Sequence, residues 1–334
     1  MKKVTMADVA LKAGVSKSTV SQFINNRFEY MSDSTQVRIR EAILELGYIP
    51  NFVAKSLKQK KSATIGVIVA NILHRFSTEI IRAIEDECGS NNFHLFVCNA
   101  DDDPEKERDY IDMLVAKQVD GLIIFPTNSN TDLYTKLKAA NFPIVFVDRK
   151  TTQTLYPSIL LDNMKASSLA VEAFIKASRN EIAIVSTSIE RNVTPRVERI
   201  NGFRESLIEN GLKPNDHWVI STELTEMKAA LEKLWATGDR PNAFFATNDL
   251  SLMELLKFLK EKKLQIPQDV SVIGVDDSPF LEIFNPPITV IKQPTFEMGK
   301  DAARQLLQLM QEQKLEVTYE INRYTPTLVE RDSV

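Results

Sequence analysis

Seven short apolar runs alternate with helix-period segments along residues 63–290, and no other feature restricts the fold of this chain as much. The runs are TIGVIVA (64–70), FHLFVC (93–98), DGLIIF (120–125), PIVFVD (143–148), EIAIVS (181–186), NAFFAT (242–247) and VSVIGVDD (270–277). Each has strand length and is apolar on both faces, the pattern of a strand buried in a parallel sheet between helices. Strand and helix in alternation imply an α/β body whose parallel sheets are covered on both sides. The series stops after residue 148 and restarts at 181, which predicts two doubly wound lobes. The chain is expected to cross between them near 148–162 and again near 287–294, with ending strands between Val317 and Val329. The first lobe should then hold about 62–161 and 293–325, the second about 162–292. No repeat of 20–50 residues is present, so a solenoid is excluded.

The segment before this body has a different character. Of the chain's 41 basic and 45 acidic residues, eleven and five fall in residues 1–61, a net of +6; the other 30 and 40 leave a net of −10 on the rest. A basic head on an acidic body suits a polyanion-binding module, although a lysine-rich domain of another kind has the same charge. Within the head, residues 5–25 read TMADVALKAGVSKSTVSQFIN. Thr5 and Asp8 form a capping box, and Met6, Val9, Ala10 and Ala13 line one helical face. Gly14 ends that helix in a left-handed turn, Val15 plugs the gap, and Ser16 caps a second helix. This second helix buries Val20 and Ile24 and turns Lys17, Ser18, Ser21, Gln22 and Asn25 outward. Two helices joined by a three-residue turn containing glycine form a helix-turn-helix, whose second helix enters the DNA major groove. A third helix is predicted from Asp33, with Ile39, Ala42, Ile43 and Leu46 inward and Gly47 at its end.

After residue 50 comes NFVAKSLKQKK (51–61). Asn51 can cap about two helical turns with Val53, Ala54 and Leu57 on one stripe. Isolated helices below ~12–15 residues are marginal in water, so the same stretch also reads as a basic linker. The segments VTMADVALKAGVSKSTVSQFIN and GYIPNFVAKSLKQKKSATIGVIV resemble the lactose-repressor/galactose-repressor (LacI/GalR) family of bacterial transcription regulators. The similarity runs in order over nearly the whole chain. It implies a helix-turn-helix domain over 1–50, a hinge helix over 51–61 and a periplasmic-binding-protein-like effector and dimerisation domain over 62–334. It also implies DNA contacts from Thr5, Lys17, Ser18, Thr19, Ser21, Gln22 and Asn25, and from Asn51, Ala54, Leu57 and Lys58 of the hinge. Leu57 would be levered into the minor groove, an unstacking that costs a few kcal/mol and is offset by the contacts the bend permits. The chain departs from the family at Gln22, where arginine is usual. Arginine reads guanine, whereas glutamine matches adenine N6 and N7, so adenine-thymine character is expected at that base pair.

In open parallel sheets, ligands bind beyond the carboxyl ends of the strands. That rule selects Ala70-Asn71, Phe125-Pro126, Asp148-Arg149, Asn248-Asp249 and Asp276-Asp277. Asparagine and aspartate there suit sugar hydroxyls, while Asn248 and Asp249 serve equally as helix caps. The family resemblance adds effector roles for Asp148, Arg199, Asn248 and Asp276, and for Phe76, which also fits a plain core position. Phe125 departs from sugar-responsive members with a polar group there. Arg149, Arg191, Arg196 and Arg199, with Arg75 on the opposite lobe, crowd these segments, and arginine holds carboxylate or phosphate bidentately. An anionic effector such as a sugar acid or sugar phosphate is therefore expected. Resemblance to repressors of ketodeoxygluconate and pectin-breakdown genes names 2-keto-3-deoxygluconate as the candidate. The expected effector set is Asn71, Arg75, Phe76, Phe125, Asp148, Arg149, Arg196, Arg199, Asn248 and Asp276.

The chain is not expected to be an enzyme or to carry a cofactor or metal. It has no glycine-rich phosphate loop, no Gly-x-Ser-x-Gly elbow, no HExxH and no cysteine–histidine pair, and its three histidines are scattered. Asp276-Asp277 suits hydrogen bonding or capping better than acid–base chemistry. Without a signal peptide or an apolar span of ~18 residues, a transport receptor is disfavoured and a cytoplasmic location expected. The expected partners are operator DNA, a small effector and a second copy of the chain, with no membrane. No apolar heptads follow the ending strands, so a dimer is expected rather than a tetramer.

Overall fold

In the computed structural model, residues 4–29, 31–49, 62–312 and 319–334 are described. The predicted hinge segment 51–61, with Asn51, Ala54, Leu57 and Lys58, lies outside them. The chain divides into two units, Met1–Ser62 and Ala63–Val334.

The first unit is built by local signals. Helix α1 spans Met6–Ala13 and α2 spans Lys17–Ile24, with Gly14 between them in the left-handed region at φ 64°. That conformation penalises a Cβ, so glycine is the residue that lets the chain turn within three residues. The Asp8 carboxylate accepts from the Thr5 amide and hydroxyl, and Ser16 Oγ accepts from the Thr19 amide at 3.1 Å. Helix α3 spans Asp33–Leu46 behind the Ser32 cap. Val9, Ala10, Ala13, Val20, Ile39, Ala42 and Tyr48 form the small core that holds the three together.

The second unit has two six-stranded sheets. After β1 (Thr64–Val69) come α4 (Arg75–Ser90), β2 (His94–Asn99), α5 (Pro104–Ala116), β3 (Gly121–Ile124), α6 (Thr131–Ala139), β4 (Ile144–Val147) and β5 (Ser158–Leu161). The chain crosses to α7 (Asn163–Lys176), β6 (Ile182–Thr187), α8 (Thr194–Glu209), β7 (Val219–Thr222), α9 (Met227–Ala236), β8 (Ala243–Ala246), α10 (Asp249–Glu261), β9 (Ser271–Val275), the short α11 (Pro279–Ile283) and β10 (Thr289–Lys292). It returns with α12 (Thr295–Leu309) and β11 (Ile321–Tyr324), then ends on β12 (Thr327–Val329). The first sheet runs β11-β5-β4-β3-β1-β2, entirely parallel; the second runs β12-β10-β9-β8-β6-β7, with β12 alone antiparallel. Central strands β3, β4 and β8 are buried at every position, which is why they read as unbroken apolar runs.

The chain passes between sheets three times, not the two expected. The ending strands part company: β11 pairs with β5, whereas β12 pairs with β10. The final residues are fixed in the second lobe, where Ser333 Oγ accepts from the Thr289 amide and donates to the Val272 carbonyl. Strands β5, β7 and β10 do not stand out in the sequence because Ser158, Ser221 with Thr222, and Thr289 with Lys292 break their apolar runs, whereas β3, β4 and β8 are equally short but wholly apolar. Helix α12 packs tightly on α4 of the first lobe. A Cβ on Gly299 would lie 2.7 Å from Ala83 Cβ, so the close approach requires glycine.

Candidate functional site

The two lobes use the same device at the same place. Asp148 follows β4 directly and Asp276 follows β9, and both aspartates are left-handed, at φ 67° and 78°. In each case the aspartate amide donates to the neighbouring strand, Asp148 to the Ile159 carbonyl and Asp276 to the Ile291 carbonyl. Non-glycine residues in this region cost about 1–3 kcal/mol and persist where surrounding structure fixes them, commonly at ligand sites. The reward is direction, since the turned backbone aims both carboxylates into the cleft between the lobes.

Arg199, from α8, lies between them. Its guanidinium is buried; Nε donates to Asn163 Oδ1 at 2.9 Å and Nη1 to the Thr247 carbonyl at 2.5 Å. Burial pulls its pKa down, and the charges of Asp276 and Asp148 act against that. Burial pushes the Asp276 carboxyl up to about 6, helped by nearby Asp249 and opposed by Arg199. Burial likewise raises Asp148, against the pull of Arg149, Arg199 and His74. Gln293 Nε2 donates to Asp276 at 2.6 Å. Gln293 Oε1 and Thr247 Oγ1 are buried with no hydrogen-bond partner among the described residues. Buried polar atoms left so cost about 1–3 kcal/mol each, which suits groups that complete their bonding with a ligand. Phe76 and Phe125 form the apolar wall, ring centroids 6.0 Å apart.

The other arginines are held by carboxylates. Arg149 Nη1 lies 2.6 Å from Asp102 and its Nε 3.4 Å from Asp148. Arg196, from the other lobe, reaches Asp102 at 2.7 Å, and Arg191 donates to the Asp102 carbonyl. Burial would raise the Asp102 pKa, but Arg149 and Arg196 outweigh it and hold it below the usual value. At the hinge side, His74 Nδ1 meets Asp249 at 2.5 Å, and the Arg75 amide donates to the same carboxylate. These bonds join the lobes.

Of the predicted effector set, Phe76, Phe125, Asp148, Arg149, Arg196, Arg199, Asn248 and Asp276 line one inner cavity of about 50 Å³. Asn71 and Arg75 do not. Asn71 Oδ1 accepts from the Leu73 amide, while the Arg75 guanidinium is held by Glu79 and the Asp277 carbonyl. Asn248 both lines the cavity and caps α10, its Oδ1 accepting from the Ser251 amide. The same wall includes His74, Thr247 and Gln293, which the sequence reading did not select. Gln293 follows β10 directly, so recognising that strand would have found it by the strand-end rule. Asp102 likewise follows the end of β2.

On the first unit, Thr5, Lys17 and Ser18 are exposed, and Thr19, Ser21, Gln22 and Asn25 are half-buried. The Thr19 hydroxyl is engaged with Ser16 Oγ, and Asn25 Nδ2 donates to the Ser21 carbonyl. Among the described residues no helix is long and apolar enough to cross a membrane, and no group of three or more His, Cys, Asp or Glu is placed to hold a metal.

A helix-turn-helix unit in one chain with two facing parallel-sheet lobes defines the class of ligand-responsive DNA-binding regulators. Residues 5–51 match the model of bacterial regulatory proteins, lacI family, and 171–334 match the periplasmic binding protein-like domain. The probable HTH-type transcriptional regulator EndR of Paenibacillus polymyxa is 46% identical over 99% of this chain and 98% of its own. The HTH-type transcriptional repressor PurR of Vibrio cholerae is 34% identical over 99% and 98%. Among solved structures, the Lac repressor bound to ONPG in the repressed state matches with a TM-score of 0.86 at 27% identity over the whole of both chains. A complex of the transcriptional regulator CelR with cellobiose matches at 0.73 and 25%, covering 99% of this chain and all of that one. The chain belongs to the lacI family of bacterial regulatory proteins and is a DNA-binding transcriptional repressor.

Proposed function

We propose that the chain binds a palindromic operator as a homodimer in the bacterial cytoplasm and is released from it by a small hydroxylated effector between its lobes. The observation that carries the effector reading is the convergence of half-buried Asp148 with buried Arg199 and Asp276, beside the Thr247 and Gln293 oxygens that have no hydrogen-bond partner among the described residues. Carboxylates, a guanidinium and an amide around an aromatic wall suit the donor–acceptor faces of a sugar. The homologous Lac repressor is a dimer on its operator, and two-fold symmetry pairs a dimer with a palindrome. Exposed apolar side chains on each lobe, Phe96 and Val97 on β2 and Phe280 and Ile283 on α11, supply area for such an interface.

The electrostatics narrow the effector. Arg149 and Arg196 are spent on Asp102, and Arg199 faces two aspartates, so the cleft is close to charge balance. A neutral sugar fits that balance. The sugar-acid reading, with 2-keto-3-deoxygluconate as its candidate and a carbohydrate-catabolic operon as its target, rests on Arg199, whose hydrogen bonds go to an amide and a carbonyl rather than a carboxylate. An operator-binding assay run against neutral sugars and 2-keto-3-deoxygluconate decides between them. Release by neutral sugars alone rejects the acid, and release by none rejects a sugar effector.

A further inference from the structure

Arg199 shares its cavity with Asp148 and Asp276, and from its other side a chain of polar groups runs to the strands that join the lobes. Arg199 Nε donates to Asn163 Oδ1 at 2.9 Å, and Asn163 Nδ2 donates to Glu198 at 3.0 Å and to the Leu161 carbonyl at 3.3 Å. Glu198 also accepts from both terminal nitrogens of Arg323, at 2.7 and 2.9 Å, and Arg323 reaches the Leu161 carbonyl at 3.0 Å. We infer that Glu198 and Arg323 are positioning residues of the effector response: Glu198 holds Arg199 in its cleft orientation through Asn163, and its grip on Arg323 ties that orientation to the angle between the lobes. The inference rests on the effector reading above and names residues through which that site acts.

The first link is a matter of donors and acceptors. Asn163 is fully buried, so its amide must find its partners inside the protein. A carboxylate only accepts and the Arg199 Nε–H only donates, so a single orientation of the amide serves both, oxygen toward Arg199 and nitrogen toward Glu198. Turned round, it would set donor against donor and acceptor against acceptor. Burial would raise the Glu198 pKa, but Arg323, Asn163 and Lys150 outweigh it and hold the carboxyl below its usual value, so the charge that orients Asn163 is kept.

The second link crosses between lobes. A Cβ on Gly202 would lie 2.8 Å from Met164 Cα, so α8 sits directly on the first turn of α7. Asn163, Glu198 and Arg199 therefore move with the second lobe as one body. Arg323 belongs to β11, which pairs with β5 of the first sheet. The Asp162 amide donates to the Tyr324 carbonyl at 2.8 Å, joining the crossing after β5 to the crossing after β11. Rotation of one lobe against the other falls on the Glu198–Arg323 pair, a bidentate charged contact with strict geometry. A ligand that draws on Arg199 and a rotation that displaces Arg323 act on the same carboxylate.

The full chain tests this, with glucose, galactose, cellobiose, lactose and 2-keto-3-deoxygluconate as probes. Calorimetric titration gives probe affinity, and operator affinity with and without the probe gives the response, about 5–150-fold in wild type. Arg323 is 34% exposed, so Arg323→Gln cuts the grip without opening the core and leaves Asn163 on Glu198. It should keep probe affinity within about threefold of wild type while the response falls below about twofold. Glu198→Leu also frees Asn163, and should lose about tenfold in probe affinity together with the response. The double variant should be no worse than Glu198→Leu in either measurement, because the two residues act through one contact. A wild-type response in Arg323→Gln, even with a lowered unfolding midpoint, would assign the contact to stability alone and overturn the inference. Wild-type probe affinity in Glu198→Leu, or losses that add in the double variant, would overturn it as well. A wild-type chain that responds to no probe would instead overturn the effector reading, and the inference with it.

Discussion

The two units of this chain keep their candidate functional residues in contrasting environments. The first surrounds a core of seven buried residues with its polar groups outside, so Lys17 and Ser18 of α2 meet solvent. The second hides its candidate ligand groups: Arg149, Arg199 and Asp276 are buried, each answered by a partner from another segment. A surface that reads a long polyanion needs only a firm scaffold beneath exposed side chains. A sensor of a small molecule must instead take the ligand out of water, and buried charges then have to be matched in advance.

This difference predicts where each unit breaks. Arg199→Leu leaves buried Asp276 and half-buried Asp148 without their shared cation, and should destabilise the second unit by about 3–5 kcal/mol and abolish effector binding. Denaturant unfolding and calorimetry check this, and a wild-type midpoint would show that the guanidinium does not hold the aspartates. In the first unit the sensitive group is apolar. Ile39→Ala removes a fully buried side chain from the small core and should cost about 2–5 kcal/mol, melting the helix-turn-helix and its operator affinity while the second unit keeps its own transition. Loss of both transitions together would contradict independent units.

Asp276→Asn sharpens the contrast in the other direction. The folded-state pKa of about 6 lies above the ordinary carboxyl value. Between the two values the folded protein holds more protons than the unfolded chain, so stability falls as pH rises through that window. Asparagine keeps an oxygen for Gln293 without a charge, and should stabilise the second unit by about 2–3 kcal/mol above pH 6.5. The gain should shrink toward nothing near pH 4; a gain independent of pH would remove burial of charge as its cause. Gln22→Arg has a smaller effect and only on the first unit. It should exchange a preference for adenine for one for guanine at one position of each half-site, worth about 1–3 kcal/mol, as read by selection from randomised operators. An unchanged preference would take Gln22 out of base reading.

The same contrast explains how much was legible in the sequence. Every signal that builds the first unit is local, from Thr5 with Asp8 to Gly14, Ser16 and Gly47, so its helices could be read along the chain. The long buried strands of the second unit were equally plain, but β5, β7 and β10 were not, and neither was the parting of β11 from β12. At the site, Asp148 and Asp276 followed from the strand-end rule, and Arg199 and Phe76 from family resemblance. The pairing of the arginine cluster was not legible, because Asp102 lies 47 residues before Arg149 and 94 before Arg196, a pairing that only the fold creates. Counting cations along a sequence cannot show which of them are already neutralised.

The central claim is that an exposed DNA-reading surface is governed by a buried sugar site. Operator affinity, measured with and without the sugar that calorimetry identifies, tests it most directly in wild type and Asp276→Asn. The sugar should change wild-type affinity about 5–150-fold, and the variant should bind operator as wild type does without sugar yet show no response. A sugar that binds the cleft but leaves operator affinity unchanged, or a variant that responds as fully as wild type, would contradict the account.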